Sequence, residues 1–454
     1  MEGSKDKMKK ITLLLIFFSL ILISNPEEYE ASNHLQSLID SMEEGAVLKL
    51  GNKTYEGNIV INKRLTIIGS KHTVIKGDGT SNVISIKAPG VKLRHLTVIH
   101  GGMNRNTAEE YAAIKIHTNH NVIEHVKIRD SYHGIYLSQA HHNTIQYNDI
   151  KGMGKGKIAA QGNGLHIYYA NNNLLAHNKI EGTRDGMFFD YANRNKSYDN
   201  HISHTRYGLH YMYSDENIFK RNIFTMNQGG AAIMNSNRLK LKDNQFLINY
   251  GNQSFGLLLL QANENNIENN MFYLNQRGLY IDQSTKNIIK NNKIIENEIG
   301  IELWASSNEQ IFTLNKIYEN TIPAALIGGK GESNAWSKDG KGNDWGTFFP
   351  LTDLDQNGIG DFPITYYSSL HQLLEKQELT NLFLKSHAIT IYEKINAALN
   401  DNEVMFKDPH PLVQRKRNHS FILVAVLSLL AVILIKGRHP YALHLERMEG
   451  KHKR

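Results

Sequence analysis

The side chains best suited to chemistry in this sequence are one histidine and two methionines at a regular spacing. His210 and Met212 are two residues apart, and Met234 follows Met212 after 22 residues. An imidazole nitrogen and two thioether sulfurs are ligands that suit a soft ion such as Cu(I). Because the chain contains no cysteine, a soft metal would have to bind through methionine and histidine.

The spacing of 22 residues belongs to a repeat that is marked by glycines. Two runs of glycines keep this spacing, with a four-residue insertion between them: Gly186, Gly208 and Gly230, then Gly256, Gly278 and Gly300. A fixed period of this length is typical of a solenoid. Each glycine precedes an apolar–x–apolar pattern, which indicates a short strand with one buried face.

Asparagines recur nine and fourteen residues after the glycines, as Asn195 and Asn200 do after Gly186. Asparagine tolerates a left-handed backbone and stabilises turns, and stacked asparagines can form ladders. No convincing helical stripe interrupts residues 82–327. We therefore predict an all-β fold, a right-handed parallel β-helix of the pectin-lyase type with coils of 22 residues. A C-terminal helical segment and one transmembrane helix are expected after it.

In such a coil, the residues two and four positions after each glycine point outward. Stacking then places Met212 beside Met234 on neighbouring coils, with His210 on the same face. His166 lies two coils from His210, about 10 Å away by strand spacing. We predict that His210, Met212, Met234 and His166 contact copper transiently. The alternative is a half-buried contact surface that a loop or a partner protein covers.

A second candidate metal site lies after the repeats. Asp353, Asp355, Asn357 and Asp361 match the start of a calcium-binding loop, because oxygen ligands alternate and Gly358 permits the tight turn. The acidic residue expected at position twelve of that loop is absent, since Ile364 stands there. A structural calcium ion and a metal-free turn both remain open.

Signals for an enzyme are weak. Asp190 and Asp282 fall in the same outward column but four coils apart, farther than the carboxylate pair of a glycosidase allows. The sequence has no nucleophile elbow, phosphate-binding loop or zinc-type spacing. The residues by themselves therefore give little support for a catalytic function.

The two ends of the chain carry membrane-related signals. Residues 1–24 combine lysines with an apolar run, as a signal peptide or an N-terminal signal anchor does. Residues 421–435 are apolar except for Ser428 and are flanked by basic residues, which predicts a transmembrane helix. The basic tail, residues 436–454, would then be cytoplasmic, and the solenoid would stand on the outer face of the cytoplasmic membrane.

The remaining organisation is inferred from shifts in pattern and charge. We predict the β-helix over residues 33–338, capped by a helix at 33–45. An Asp/Gly-rich segment at 339–364 and a helical segment at 365–414 would come next. Residues 415–454 carry a net charge of +7, which equals that of the whole chain. The rest of the chain, residues 1–414, is therefore neutral overall, and we expect no nucleic-acid partner.

Several stretches of the chain resemble the NosD family of nitrous-oxide reductase maturation proteins. The specific stretches are residues 184–193, 206–214 and 227–236, which contain the histidine and both methionines. Residues 343–363 and 408–413 also look like the family. The predicted membrane helix departs from the soluble periplasmic pattern of the family and would suit a cell with no outer membrane.

The resemblance implies a role in denitrification. NosD-like proteins sit on an ABC transporter made of a permease and an ATPase, outside the inner membrane. They are implicated in supplying copper to nitrous-oxide reductase, with a copper chaperone delivering to them. The resemblance thus implies that the β-helix is a module that transfers metal and docks partners without catalysis. On this resemblance, Arg206, Tyr207, Tyr211 and Tyr213 are the predicted partner-docking residues.

Two other functions are compatible with a β-helix. The first is a cell-surface carbohydrate-active protein, a polysaccharide lyase or epimerase, which needs a carboxylate groove with an adjacent base. The second is a purely structural, adhesin-like solenoid, which needs no columns of methionine and histidine. Neighbouring genes for an ATPase, a permease and a reductase would favour copper delivery over both.

Overall fold

The fold is described in a computed structural model. It covers residues 34–103, 109–154, 156–251, 253–329, 331, 333–349, 351–367 and 404–413, and the single residues 386, 388, 391, 392 and 395. The predicted signal segment, membrane helix and basic tail lie outside the described residues. None of the helices in the described part of the chain has the length and apolar character that a membrane crossing requires.

The chain winds through three parallel sheets of 12 strands each, and every third strand returns to the same sheet. Each turn of the chain therefore adds one strand to every sheet. The prediction of an all-β, right-handed parallel β-helix is confirmed, with about 12 coils.

The first sheet consists of three-residue strands whose middle side chain points into the tube. They are β1 (Val47–Lys49), β4 (Thr66–Ile68), β7 (Lys92–Arg94), β10 (Val122–Glu124), β13 (Thr144–Gln146), β16 (Leu174–Ala176), β19 (Lys196–Tyr198), β22 (Ile218–Lys220), β25 (Lys240–Lys242), β28 (Asn266–Glu268), β31 (Ile288–Lys290) and β34 (Ile311–Thr313).

The second sheet repeats this plan with three-residue strands. They are β2 (Thr54–Glu56), β5 (Val74–Lys76), β8 (Thr97–Ile99), β11 (Lys127–Arg129), β14 (Asp149–Lys151), β17 (Lys179–Glu181), β20 (His201–Ser203), β23 (Ile223–Thr225), β26 (Gln245–Leu247), β29 (Met271–Tyr273), β32 (Lys293–Ile295) and β35 (Lys316–Tyr318).

The third sheet has longer strands and carries the candidate site. They are β3 (Ile59–Ile61), β6 (Ile84–Ile86), β9 (Ala112–Ile116), β12 (His133–Ser138), β15 (Leu165–Tyr168), β18 (Asp185–Asp190), β21 (Tyr207–Met212), β24 (Gly229–Met234), β27 (Phe255–Leu260), β30 (Arg277–Asp282), β33 (Ile299–Trp304) and β36 (Ile322–Ile327).

The interior of the tube is a continuous apolar core in which like side chains stack on successive coils. The rings of Phe224, Phe246 and Phe272 stack with centroids 5.1 and 4.9 Å apart. All three are fully buried. This regular stacking buries apolar surface, the main favourable term in folding, without any disulfide.

The repeated glycines are explained by a close approach between neighbouring coils. A Cβ atom added to Gly186 would lie 2.5 Å from the carbonyl oxygen of Gly208 and 2.3 Å from a methyl carbon of Ile202. The strand register pairs Asp185 with Tyr207 and Met187 with Leu209, but it skips the glycines between them. The alternation of faces is therefore interrupted at each glycine.

The asparagine ladders are present, but the left-handed turn lies one residue earlier than the sequence pattern indicated. The backbone N–H of Asn173 donates to Oδ1 of Asn195, and the N–H of Asn195 donates to Oδ1 of Asn217, at 2.8 and 2.7 Å. The positive φ belongs to the preceding residues, such as Arg194 at 55°. The asparagine side chains thus satisfy backbone donors of the neighbouring coil.

Both ends of the tube are closed. Helix α1 (His34–Ser41) buries Leu35 and Ile39 against the first coil, within the predicted cap at 33–45. A 3₁₀ turn, Ile158–Ala160, lies in the insertion before β15.

At the other end, β37 (Ile364–Tyr367) and β38 (Val404–Asp408) pair antiparallel, and Phe406 stacks on Trp336 and Trp345. Residues 388, 391, 392 and 395 are helical. Strands therefore occupy both ends of the segment predicted to be helical at 365–414. The buried aromatic rings explain this difference, because the returning strand covers the open end of the core.

Candidate metal-binding face

The outer surface of the third sheet, around β18, β21 and β24, carries three of the four predicted copper ligands: His210, Met212 and Met234. Strand register pairs Met212 directly with Met234, and it pairs Asp190 with Met212 on the other side. His210 follows Phe188 in the adjacent column. Both methionines are half-buried, whereas His210 is only 8% exposed. We call His210, Met212 and Met234 the histidine–methionine face.

The orientation of His210 is set by a carboxylate from the neighbouring coil. Nδ1 of His210 lies 3.0 Å from Oδ2 of Asp185. Arg206 donates to both carboxylate oxygens of Asp185, from Nε at 2.9 Å and from Nη2 at 2.6 Å. Nη2 of Arg206 also lies 3.4 Å from Nδ1 of His210. The contact between Nδ1 and the charged oxygen of Asp185 is shorter, so Nδ1–H of His210 donates to Asp185.

This arrangement leaves one ring nitrogen of His210 available. Since Nδ1–H donates to Asp185, the neutral ring carries its lone pair on Nε2. Among the described residues, no group hydrogen-bonds to that nitrogen. A carboxylate on the second nitrogen is the usual companion of a metal-binding histidine. The donor set therefore fits a soft metal ion.

The electrostatics of Asp185 are consistent with an ionised carboxylate. Burial alone would raise its pKa, but hydrogen bonds from His210 and Arg206 hold the pKa below its usual range. Asp190, which is half-buried beside Met212, behaves differently. Burial raises the pKa of Asp190, while His210 acts in the opposite direction. Asp190 thus places a carboxyl group of raised pKa next to Met212, on the side away from Met234.

The sequence pattern did not reveal Asp185, and the interrupted register explains why. Asp185 directly precedes Gly186, and strict alternation would turn its side chain away from the outward column. Because Gly186 and Met187 both face the interior, Asp185 emerges on the same outer face as His210. The residues that directly precede the repeated glycines therefore form a further outward-facing column. Inspection of that column in the sequence could have identified Asp185 as a partner of His210.

His166 lies two coils from His210, as the spacing predicts, with the Phe188 ring between them. The centroid distances are 5.0 Å from His166 to Phe188 and 4.7 Å from Phe188 to His210. The structure does not bring His166 into contact with the methionines. It places His166 instead beside Glu110 and His133, which the sequence analysis did not single out.

Glu110, His133 and His166 form a compact cluster. One oxygen of Glu110 lies 3.2 Å from Nδ1 of His166 and 3.5 Å from Nε2 of His133, and neither contact has hydrogen-bond geometry. The two ring nitrogens lower the pKa of Glu110. Burial lowers the pKa of His166 to about 4, so this ring is neutral at physiological pH.

These distances match the edges of a metal site, but the chemistry of His133 argues against three ligands. The backbone N–H of Asn163 donates to Nδ1 of His133 at 2.8 Å. The neutral ring must then carry its proton on Nε2, the nitrogen that faces Glu110. A protonated nitrogen cannot coordinate a metal. The cluster therefore offers one imidazole, His166, and one carboxylate.

The four predicted docking residues have different surroundings. Tyr211 is fully buried in the core, stacked on Phe189, so its assignment to a docking surface is wrong. Tyr211 is the third residue after Gly208, and side chains at that position of the repeat point into the tube. Arg206 is tied to Asp185. Tyr207 packs near Phe255, and Tyr213 is 45% exposed.

The Asp/Gly-rich loop satisfies most of its own polar groups. Asp353 accepts the N–H of Gly358 at 3.0 Å, and Asp361 accepts the N–H of Leu354 at 2.9 Å. Nδ2 of Asn357 donates a hydrogen bond to Oδ2 of Asp355 at 2.8 Å. Among the described residues, the carboxylates of this loop do not converge as the Glu110 cluster does. Calcium binding here stays a prediction.

The fold is shared with carbohydrate-active enzymes. The catalytic unit of a GH87 α-1,3-glucanase from Streptomyces thermodiastaticus strain HF3-3 has a TM-score of 0.56 at 14% identity, over 68% of this chain and 66% of that chain. The catalytic domain of a GH87 α-1,3-glucanase in complex with nigerose has a TM-score of 0.55 at 14% identity, over 71% of this chain and 70% of that one. Identity this low shows a common fold alone.

None of the curated proteins is similar in sequence to this chain. The family comparison is more specific, because residues 152–348 match the model of a family described as "Periplasmic copper-binding protein (NosD)". The matched part contains His166 and the whole histidine–methionine face, together with Asp185 and Arg206. The resemblance to the NosD family seen in the sequence is therefore confirmed over residues 152–348.

Proposed function

We propose that this chain is an extracytoplasmic accessory protein for the maturation of nitrous-oxide reductase. Its β-helix would receive copper from a chaperone, hold the ion briefly and pass it on, without catalysis. It would work with the permease and ATPase of an ABC transporter. Residues 421–435 would anchor it to the outer face of the cytoplasmic membrane, with the tail inside. The NosD-family match supports this proposal.

The observation that carries the proposal is the fixed imidazole beside two paired thioethers. Asp185 and Arg206 hold His210, whereas Met212 and Met234 lie in register on adjacent strands. A preorganised nitrogen with two flexible sulfurs suits Cu(I). Because these ligands are neutral and no thiolate is available, the ion can leave more readily than from a cysteine site.

The surroundings of the methionines suit contact with another protein. Ala232, Phe255 and Leu258 form a small buried apolar cluster that is separate from the core of the tube, and half-buried Met234 packs against it. Tyr207, Leu260 and Tyr280 are also half-buried against this cluster, so the apolar side chains that stay accessible lie beside the methionines. We propose that a copper donor or acceptor docks here, with Tyr207 and Tyr213 at the edge.

The test is a Cu(I) titration of the purified protein against a chromophoric chelator under anaerobic, reducing conditions. The variant His210→Ala/Met212→Ala/Met234→Ala should lose tight binding while remaining folded, since these side chains lie outside the core. The matched control His177→Ala/Met226→Ala/Met271→Ala removes the same residue types from other surfaces and should bind normally. Equal binding by both variants would overturn the proposal.

The alternative function, a carbohydrate-active lyase or epimerase, has only the fold in its favour. Asp190 and Asp282 fall in one column with Met212, Met234 and Leu260 between them. Four strand spacings correspond to about 19 Å, whereas a glycosidase pair needs about 5–9.5 Å. Incubation with alginate and with α-1,3-glucan should release no products. Release of unsaturated or reducing ends would favour the alternative.

A further inference from the structure

The loop after the β-helix exposes apolar side chains to an unusual degree. Leu354 is 81% exposed and Phe362 is 68% exposed, the highest values for large apolar residues in the described part of the chain. Both belong to residues 353–362, which we call the cap loop. Two large apolar side chains that are exposed on one loop form a candidate contact surface.

The cap loop is firmly attached, so its apolar side chains do not fold back onto the core. Asp361 accepts the N–H of Leu354, and Asp353 accepts the N–H of Gly358, which closes the loop on itself. The loop also pairs with residues beyond β38. Gly360 N–H donates to the carbonyl of Pro411 at 2.7 Å, and Val413 N–H donates to the carbonyl of Gly358 at 3.0 Å.

The second observation concerns the residues that come after Val413 in the sequence. Residues 414–420 include Arg415, Lys416 and Arg417, and the apolar run at 421–435 begins directly after them. Seven residues span at most about 25 Å when fully extended. If residues 421–435 cross the membrane, the residue that is hydrogen-bonded to the cap loop lies within that distance of the apolar layer.

We propose that the cap loop contacts the phospholipid bilayer, with Leu354 and Phe362 inserted at the boundary between headgroups and acyl chains. This inference rests on the membrane anchor in the proposed function. Aromatic and aliphatic side chains favour this boundary. The β-helix then meets the membrane with its C-terminal end, and the histidine–methionine face lies about 24 Å farther out, at five strand spacings from β36.

The charges near the loop define the lipid mixture for a test. Asp353, Asp355 and Asp361 would be repelled by anionic headgroups, whereas Arg415, Lys416 and Arg417 would be attracted to them. Vesicles of phosphatidylcholine with a minor fraction of phosphatidylglycerol therefore suit both groups.

The absence of cysteine permits a direct measurement on the full chain. Leu354→Cys and Phe362→Cys each create one site for a nitroxide label, and Tyr250→Cys, from a side chain 61% exposed on the wall of the tube, is the control. The proteins are reconstituted in the vesicles, and collisions of the label with oxygen and with a water-soluble nickel chelate are compared. We expect the oxygen-to-nickel ratio at 354 and 362 to exceed that at 250 severalfold.

Three results would overturn the inference. They also distinguish failure of the lipid contact from failure of the proposed membrane anchor. Equal ratios at all three positions, in protein that resists alkaline carbonate extraction, would remove the lipid contact and leave the anchor standing. Extraction of the protein by carbonate would remove the anchor and the lipid contact together. Shielding of 354 and 362 from both reagents only when the permease is present would identify a protein as the occupant.

Discussion

Replacing Asp185 with asparagine tests the geometry of the histidine–methionine face without removing any ligand. The carboxylate accepts from His210 and twice from Arg206, and it is almost fully buried. Asparagine keeps the shape but places an NH₂ group against one of these donors. His210 then loses the hydrogen bond that keeps its proton on Nδ1. The tautomer with the proton on Nε2, which leaves no lone pair there for a metal, becomes accessible.

The expected loss in Cu(I) affinity is set by the role of such outer partners. Removing the hydrogen-bond partner of a metal-binding histidine weakens binding about 10–100-fold, which corresponds to about 1.4–2.7 kcal/mol. Stability should fall as well, because Arg206 loses its anionic partner. A fully buried pair would lose about 3–5 kcal/mol. Since Arg206 is 25% exposed, water compensates in part, and we expect a loss of about 1–2 kcal/mol.

The chain offers a close control in Asp199. Its carboxylate also accepts twice from one arginine, Arg221, at 2.7 and 2.7 Å, and a histidine, His177, lies 3.9 Å away. This triad lies on a different, exposed surface, so Asp199→Asn should change stability by about 0–1 kcal/mol and leave copper binding unchanged.

The assay is the Cu(I) competition titration, combined with thermal unfolding of each variant. Native affinity in folded Asp185→Asn protein would show that Asp185 does not prepare His210 as a ligand. An equal loss of affinity in Asp199→Asn would show that the effect is not specific to this face.

Three further predictions concern the architecture. Gly208→Ala would place a Cβ 2.7 Å from the Gly230 carbonyl oxygen and should destabilise the fold by about 1–3 kcal/mol, whereas Gly51→Ala, with its nearest contact at 3.8 Å, should be neutral; denaturant unfolding compares them, and equal midpoints would contradict the packing argument. Asn200→Ala strands the N–H of Asn178 and should lower stability by about 1–3 kcal/mol, with faster amide exchange in that coil than in coils remote from it; unchanged exchange would show that the ladder is dispensable. Burial raises the pKa of Asp408 in the folded state, so its contribution to stability should fall as pH rises from about 4 through the folded pKa; unfolding from pH 4 to 7 should show this slope in the wild type but not in Asp408→Asn, and identical slopes would refute it.

Much of the fold could be predicted from the sequence because the repeat is local. The glycine period sets the length of a coil, and alternation of apolar residues identifies the strands and their inner faces. The positions of Met212 and Met234 relative to each other are determined by this period alone. The same pattern, applied consistently, would have kept Tyr211 out of the docking surface, because its inward position is visible in the repeat.

Several features of the site depend on contacts that the period does not encode. Asp185 meets His210 only because the register skips the glycines and turns the preceding residue outward. Glu110 reaches His166 from a non-repeating insertion 56 residues earlier in the chain. Sequence alone also left the burial of His210 undetermined, since an outward position need not be an exposed one.

The closing of the tube shows the same division most clearly. Asp408 accepts the indole N–H of Trp345 and the backbone N–H of Asn343, across 63 and 65 residues of chain. The sequence determined the coil, its inner face and the pairing of the two methionines, because those depend on short-range periodicity. The tertiary structure alone decided the orientation of His210, the contacts of His166 and the position of β38 at the end of the tube. Each of these depends on where a distant, non-repeating residue packs.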